Sequence, residues 1–264
     1  MEEIEVYRIR TERMDKDRFA AIGEALGLRG DVVATEEALG MHDGERALAW
    51  AQPGGRFAGL LFLTDQSQAL GAPTKEVPDT GRAEEWAHAF LDEHRLEPRD
   101  RDDHIRVSFE IRAHVTVARI EEGEGRRRRV RTVPARTDVV SHIEVNGHHV
   151  TGPRARVRLT FLAPGQPAWM HRGLWDTLEV FETRRFVGEE EAKEDLAARL
   201  ASRGDREMRW HLRNLRLAYF AGEYEGGPDL LVPHWFAEIE MPGPRGSDPK
   251  AQGPRQLVQL DAVR

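Results

Sequence analysis

Asn146-Gly147 obliges the chain to reverse direction within the stretch SHIEVNGHHVTGPRARVRLTF, Ser141 to Phe161. A type I′ turn needs positive φ at both central residues, and Asn and Gly tolerate that best. A two-residue loop sets Val145 opposite His148, Glu144 opposite His149 and Ile143 opposite Val150. Side chains alternate between the faces of a strand. Ile143, Val145 and Val150 therefore share one face with His148, and His142, Glu144 and His149 share the other. Past Gly152-Pro153 the apolar residues move to odd positions, Val157, Leu159 and Phe161. A bulge at Gly152-Pro153 accounts for that change of parity, and it sends Arg154, Arg156 and Arg158 together to solvent.

The three histidines and the arginine row invite two chemical readings. His142, His149 and Glu144 could converge on a metal, but a cross-strand Glu–His pair on a wet face needs no ligand. The arginines read as the solvated side of an amphipathic strand rather than a phosphate surface. Arg126 to Arg129, beside Glu121, Glu122 and Glu124, read as a self-compensating hairpin tip. The expectation is no metal and no cofactor.

The same alternation organises the rest of the chain. Residues 4–10, IEVYRIR, read as a strand, and Asp15 opens a helix with Phe19, Ile22 and Leu26 on one face. Strand candidates follow at 32–36, 46–51 and 56–63, the last two joined by the turn Gln52 to Gly55. Gln66 to Gly81 is polar and rich in Gly and Pro. Thr80 is expected to cap the next helix, with Ala83, Trp86, Ala87, Phe90, Leu91 and His94 on one face. Long strands are predicted over 104–120 and 130–145, a helix over GEEEAKEDLAARLASRG with Ala192, Leu196 and Leu200 buried, and two closing strands over 212–224 and 229–241 joined by EGGP.

This order predicts an α+β protein with two packed antiparallel sheets, each cradling an amphipathic helix, because short connections favour antiparallel neighbours. The expected division is an N-terminal unit over 1–65, a linker over 66–80, a larger unit over 81–241 with helices near 81–95 and 188–203, and a mobile tail over 242–264.

The 264 residues are enough to bury a sizeable core, in one large domain or two modest ones. A net charge of −7 gives no global reason to bind nucleic acid or an anionic membrane. With no cysteine, disulfides, thiol catalysis and zinc–thiolate sites are excluded. No G-x-S-x-G, Walker A, post-strand G-x-G-x-x-G or H-E-x-x-H pattern occurs. Aromatic and imidazole side chains gather in the last third: Trp169, His171 and Trp175, then Trp210 and His211, Tyr219 and Tyr224, and His234-Trp235 within PHWF. Trp169, His171, Trp175, Tyr219, Tyr224, His234 and Trp235 are the candidate ligand-binding set. Such residues suit a small-molecule cavity and equally a helix-on-sheet core.

VYRIR with its short helix ending ALGLRG, EWAHAFLDEHRLEP, VNGHHVTGPRARVRLTF and LRLAYFAGEYEGGPDLLVPHWFAEIE together resemble cystatin-like or PepSY-like modules in tandem. Such modules occur in bacterial exported or membrane-tethered regulators, including accessory proteins that restrain sensor kinases. The resemblance implies a curved antiparallel sheet around one helix per module and a non-catalytic role exerted through contact with another protein. No catalytic residue transfers with it. The start MEEIEVYRIRTER lacks the signal or anchor of those regulators. As given the chain reads as cytoplasmic, or as exported if a signal has been removed, with no membrane insertion. The alternative expectation is an enzyme or small-molecule carrier of secondary metabolism with its pocket in the aromatic third.

Overall fold

Asp15 opens helix α1 (Lys16–Ala25) as its sequence predicts, its carboxylate accepting the Arg18 N–H at 2.7 Å. In the computed structural model, residues 2–51, 59–65, 76–99, 104–122, 129–173, 176–202, 210–222, 229–241 and 255–264 are described. Trp175, Tyr224, the Gln52–Gly55 turn, most of the 66–80 linker and the 123–128 hairpin tip lie outside them, as do EGGP and residues 242–254. Helix α2 (Thr80–Glu93) is capped by Asp79 rather than Thr80, Asp79 accepting from the Arg82 N–H at 3.0 Å. It buries Ala83, Ala87, Phe90 and Leu91 as the spacing requires. Helix α3 (Glu189–Ser202) buries Ala192, Leu196 and Leu200 and begins with Glu189, Glu190 and Glu191 at its positive end. No helix among the described residues is long and apolar enough to cross a membrane.

The strands are β1 (Glu3–Arg10), β2 (Val33–Ala34), β3 (Ala38–His42), β4 (Arg46–Ala51), β5 (Gly59–Thr64), β6 (Val107–Glu122) and β7 (Arg129–Val145). They continue as β8 (His148–Thr151), β9 (Val157–Phe161), β10 (Trp169–Arg172), β11 (Thr177–Arg185), β12 (His211–Ala221), β13 (Leu230–Glu240) and β14 (Arg255–Asp261). Strand β14 forms within the stretch read as a tail.

The expectation of two packed antiparallel sheets, each cradling a helix, is overturned. The 14 described strands form one mixed sheet in the order β11-β1-β13-β12-β8-β7-β9-β10-β5-β4-β3-β2, with β14 added to β13 and β6 to β7. The hairpins predicted from local signals are present, but long-range pairings fuse them. β5 pairs with β10, β1 with β13, and β8 with β12 in parallel. Two separate sheets would leave these strands as unpaired edges, and joining them satisfies their N–H and C=O groups. Gly152 permits the parallel join: its φ is 113° and a Cβ there would run into the Ala221 carbonyl. Pro233, which has no N–H to donate, lies between the stretch of β13 that pairs with β1 and the stretch that pairs with β14.

Cross-strand partners share a face, so the core can be followed across the sheet. Val139, Leu159, Met170, Phe62 and Leu48 are successive partners and pack with α1 and α2. Ile143, Val150 and Tyr219 continue that face, with Tyr7 and Ile9, in a second cluster. Trp235, Ala237, Val258 and Leu260 extend it again and receive α3. The described helices α1, α2 and α3 therefore pack on one face.

Candidate functional site

The opposite face of β6, β7 and β9 is built around Asp138. This carboxylate has no solvent exposure and sits in mid-strand, paired with His114 on β6 and Thr160 on β9. Oδ1 accepts from Thr160 Oγ1 at 2.7 Å and from Arg158 Nη2 at 3.0 Å. Oδ2 accepts from Thr116 Oγ1 and Arg136 Nε, each at 2.8 Å. Burial pushes the Asp138 carboxyl up, but the hydrogen bonds from Thr160, Arg136, Thr116 and Arg158 outweigh it and hold it at about 2. A carboxylate with both oxygens doubly engaged is a brace and not a proton donor, and it fixes the Arg158 guanidinium in place.

Beside this brace lies a groove of about 400 Å³ lined by His114, His142, His149, Thr151, Arg156 and Arg158. The predicted turn delivers the histidines: Asn146 and Gly147 have φ of 49° and 80°, and Glu144 pairs with His149. The rings of His142 and His149 lie 6.5 Å apart. Burial pulls the His149 imidazole down from its ordinary range, and the charges of Arg216 and His142 act in the same direction. Among the described residues no three His, Asp or Glu side chains are arranged to hold a metal ion.

The arginine row departs from its predicted orientation. Arg156 is exposed and Arg158 half-buried, but Arg154 is buried and pairs with Asp229. A 3-10 turn at Pro153–Ala155 takes Arg154 out of the strand alternation before β9 begins.

A second feature occupies the helix-bearing face. Among the described residues, β7 beyond Thr137 pairs only with β6, so Thr116–Glu122 and Arg129–Arg136 form a two-stranded ribbon past the rest of the sheet. Val115, Val117 and Val130 are 39%, 52% and 53% exposed. Register puts them on one side with Pro134. Their row leads to a pocket of about 580 Å³ lined by Pro78, Trp86, Pro134, Phe161 and Pro164. The edge of β6 is protected at its root, where Glu84 of α2 accepts the Ala113 N–H at 2.6 Å.

The aromatic residues singled out by sequence fall in separate places. Trp169 and His171 stack at 6.1 Å on β10, and Trp169 lies 5.6 Å from the Arg158 guanidinium, next to the groove. Burial, with Arg156 nearby, pulls the His171 imidazole down. Tyr219 packs at 5.3 Å against Tyr7 in the middle cluster and donates to the Glu5 carbonyl at 2.9 Å. Burial pushes its phenol up to about 12. Trp235 lies under α3 and donates to the Val187 carbonyl at 2.8 Å. His234 is on the other side of β13 with Phe220 and Phe236, and its Nδ1 is 3.5 Å from Asp261. Sequence reasoning passed over Asp138, although a lone carboxylate inside RTDVV, in the middle of a strand, is the pattern of a buried and paired acid.

No described protein family matches the chain, and no curated protein matches it by sequence. Among solved structures, an uncharacterized protein from Eubacterium rectale ATCC 33656 is similar at 11% identity and a TM-score of 0.47, over 99% of this chain and 84% of that one.

Proposed function

We propose that this chain is a non-catalytic binding protein that engages another protein through the β6–β7 ribbon and the apolar pocket at its root. The observation that carries the reading is the row Val115, Val117 and Val130, exposed on a ribbon whose only described partner is itself. Scattered exposed valines are ordinary, but a row that runs into a pocket with Trp86 and three prolines is the form of an interaction surface. Binding there removes apolar surface from water at about 25 cal/mol per Å². Two further observations support contact over chemistry. The most perturbed carboxylate, Asp138, is saturated with donors, and the polar atoms of Tyr219 and Trp235 are spent on backbone carbonyls in packed cores. The ribbon carries the reading by itself.

The test is native mass spectrometry of complexes retained by the wild-type chain and by the double variant Val117→Lys/Val130→Lys. Both positions are wet, so the variant is expected to melt within about 0.5 kcal/mol of wild type and to lose the partner. A variant that keeps the same partner at the same occupancy contradicts the reading.

A further inference from the structure

The groove on the opposite face is independent of the ribbon. We propose that it is a binding site for a phosphate-class oxyanion, held by Arg156 and Arg158 and bound together with a proton at His149.

The argument begins with charge. The chain carries −7 overall, yet this side of the sheet presents Arg136, Arg156 and Arg158 around a single buried carboxylate, with Arg216 close to His149. Asp138 takes one guanidinium nitrogen from each of Arg136 and Arg158 and is fully occupied. Arg158 keeps a buried Nε with no hydrogen-bond partner. Among the described residues the Arg156 side chain makes no hydrogen bond or ion pair, and it lines the groove from an exposed position. A planar guanidinium presents several N–H donors in a fixed fork that matches an oxyanion. The Asp138 brace sets the orientation of Arg158 before any ligand arrives, which lowers the ordering cost of binding.

Shape and proton chemistry agree with that ligand. A volume of about 400 Å³ admits a tetrahedral oxyanion together with a small organic group. His142 and His149 line the same groove as the arginines. The charged and titratable groups acting on His149 are Arg216 from β12 and His142 and Glu144 from β7. Arg216 and His142 disfavour the imidazolium, whereas Glu144 favours it. An anion in the groove adds a second favouring charge, so anion and proton bind cooperatively. The donors lining the groove are then two guanidinium groups and an imidazolium.

The experiment is calorimetric titration of the full chain with sodium sulfate, inorganic phosphate and phenyl phosphate, near pH 6 and near pH 8. Sulfate is a dianion throughout that range, so any pH dependence it shows belongs to the protein. Sulfate is expected to bind tighter near pH 6 by on the order of tenfold. Arg156→Gln, at an exposed position, is expected to weaken sulfate at both pH values by on the order of tenfold. His149→Gln is expected to leave the affinity near pH 8 unchanged and to abolish the gain near pH 6. Phenyl phosphate binding tighter than phosphate assigns the site to a phosphate monoester, and the reverse assigns it to the free ion. Absence of saturable binding of all three anions overturns the proposal. So does wild-type affinity in Arg156→Gln with an unchanged melting temperature, because the anion then sits elsewhere. Loss of anion binding leaves the partner capture by the ribbon untouched, so the two readings fail separately.

Discussion

Asp138 sits at zero exposure with four donors on its two oxygens, two of them from arginines. A carboxylate taken out of water is tolerated only in such company, and removing it takes a charge partner from two half-buried guanidinium groups. Its folded pKa of about 2 lies below the ordinary carboxyl value of 3.8, so its ionised form stabilises the fold. The sign follows: the contribution is fully present above the unfolded pKa and is lost as pH falls through the folded one. A shift of that size corresponds to about 2 kcal/mol. Asp138→Asn is therefore expected to destabilise strongly at pH 7 and less near pH 2, the penalty shrinking by about 2 kcal/mol. Urea melts of wild type and variant at the two pH values check this, and a penalty that does not change with pH contradicts it. The acid was readable as a mid-strand carboxylate, but its four donors come from three strands, and only their pairing brings them together. Arg154 was misplaced for a local reason, since a 3-10 turn cannot be told from a bulge by apolar parity alone.

At the scale of elements, what the residues specify nearby was legible. The Asn146-Gly147 turn has positive φ at both residues, and the predicted partners Val145–His148, Glu144–His149 and Ile143–Val150 are the observed ones. Asp15 caps α1, and the buried stripes of all three helices follow their helical spacing. Strand β3, with its glycine and histidine, was not signalled, because ALGMH has no β-branched residue and little alternation. The hairpin supports a direct prediction. Gly147 has open space around a Cβ but a φ of 80°, so Gly147→Val meets backbone strain rather than a clash. Strain of that kind costs roughly 1–3 kcal/mol, whereas His149→Ala removes a cross-strand pair worth roughly 0.2–1 kcal/mol. Thermal melts are expected to show a much larger drop for Gly147→Val. Equal melting temperatures, or a larger drop for His149→Ala, would contradict this account of the turn.

At the scale of the molecule, the joins that turn local hairpins into one sheet were hidden from sequence. β5 meets β10 across more than a hundred residues, and Val150 of β8 meets Tyr219 of β12, far along the chain. Short apolar strands carry no label naming a distant partner, whereas a turn sequence names its neighbour. These joins place all the helices on one face, leaving the His–Arg groove on the other. The ribbon extends from the same sheet.

The absence of native cysteine makes the continuity of the sheet directly measurable, because an introduced pair has no competing thiol. Leu61 on β5 and His171 on β10 are opposite each other and half-buried. Opposed residues in antiparallel strands have Cα atoms about 4.5–5.5 Å apart, within the range of about 4.4–6.8 Å that a disulfide spans. Leu61→Cys/His171→Cys is therefore expected to form an intramolecular disulfide on mild oxidation, seen as a monomer with no titratable thiol. Free thiols on a folded monomer, or disulfides only between chains, would contradict a single sheet running from the N-terminal strands into the rest of the molecule.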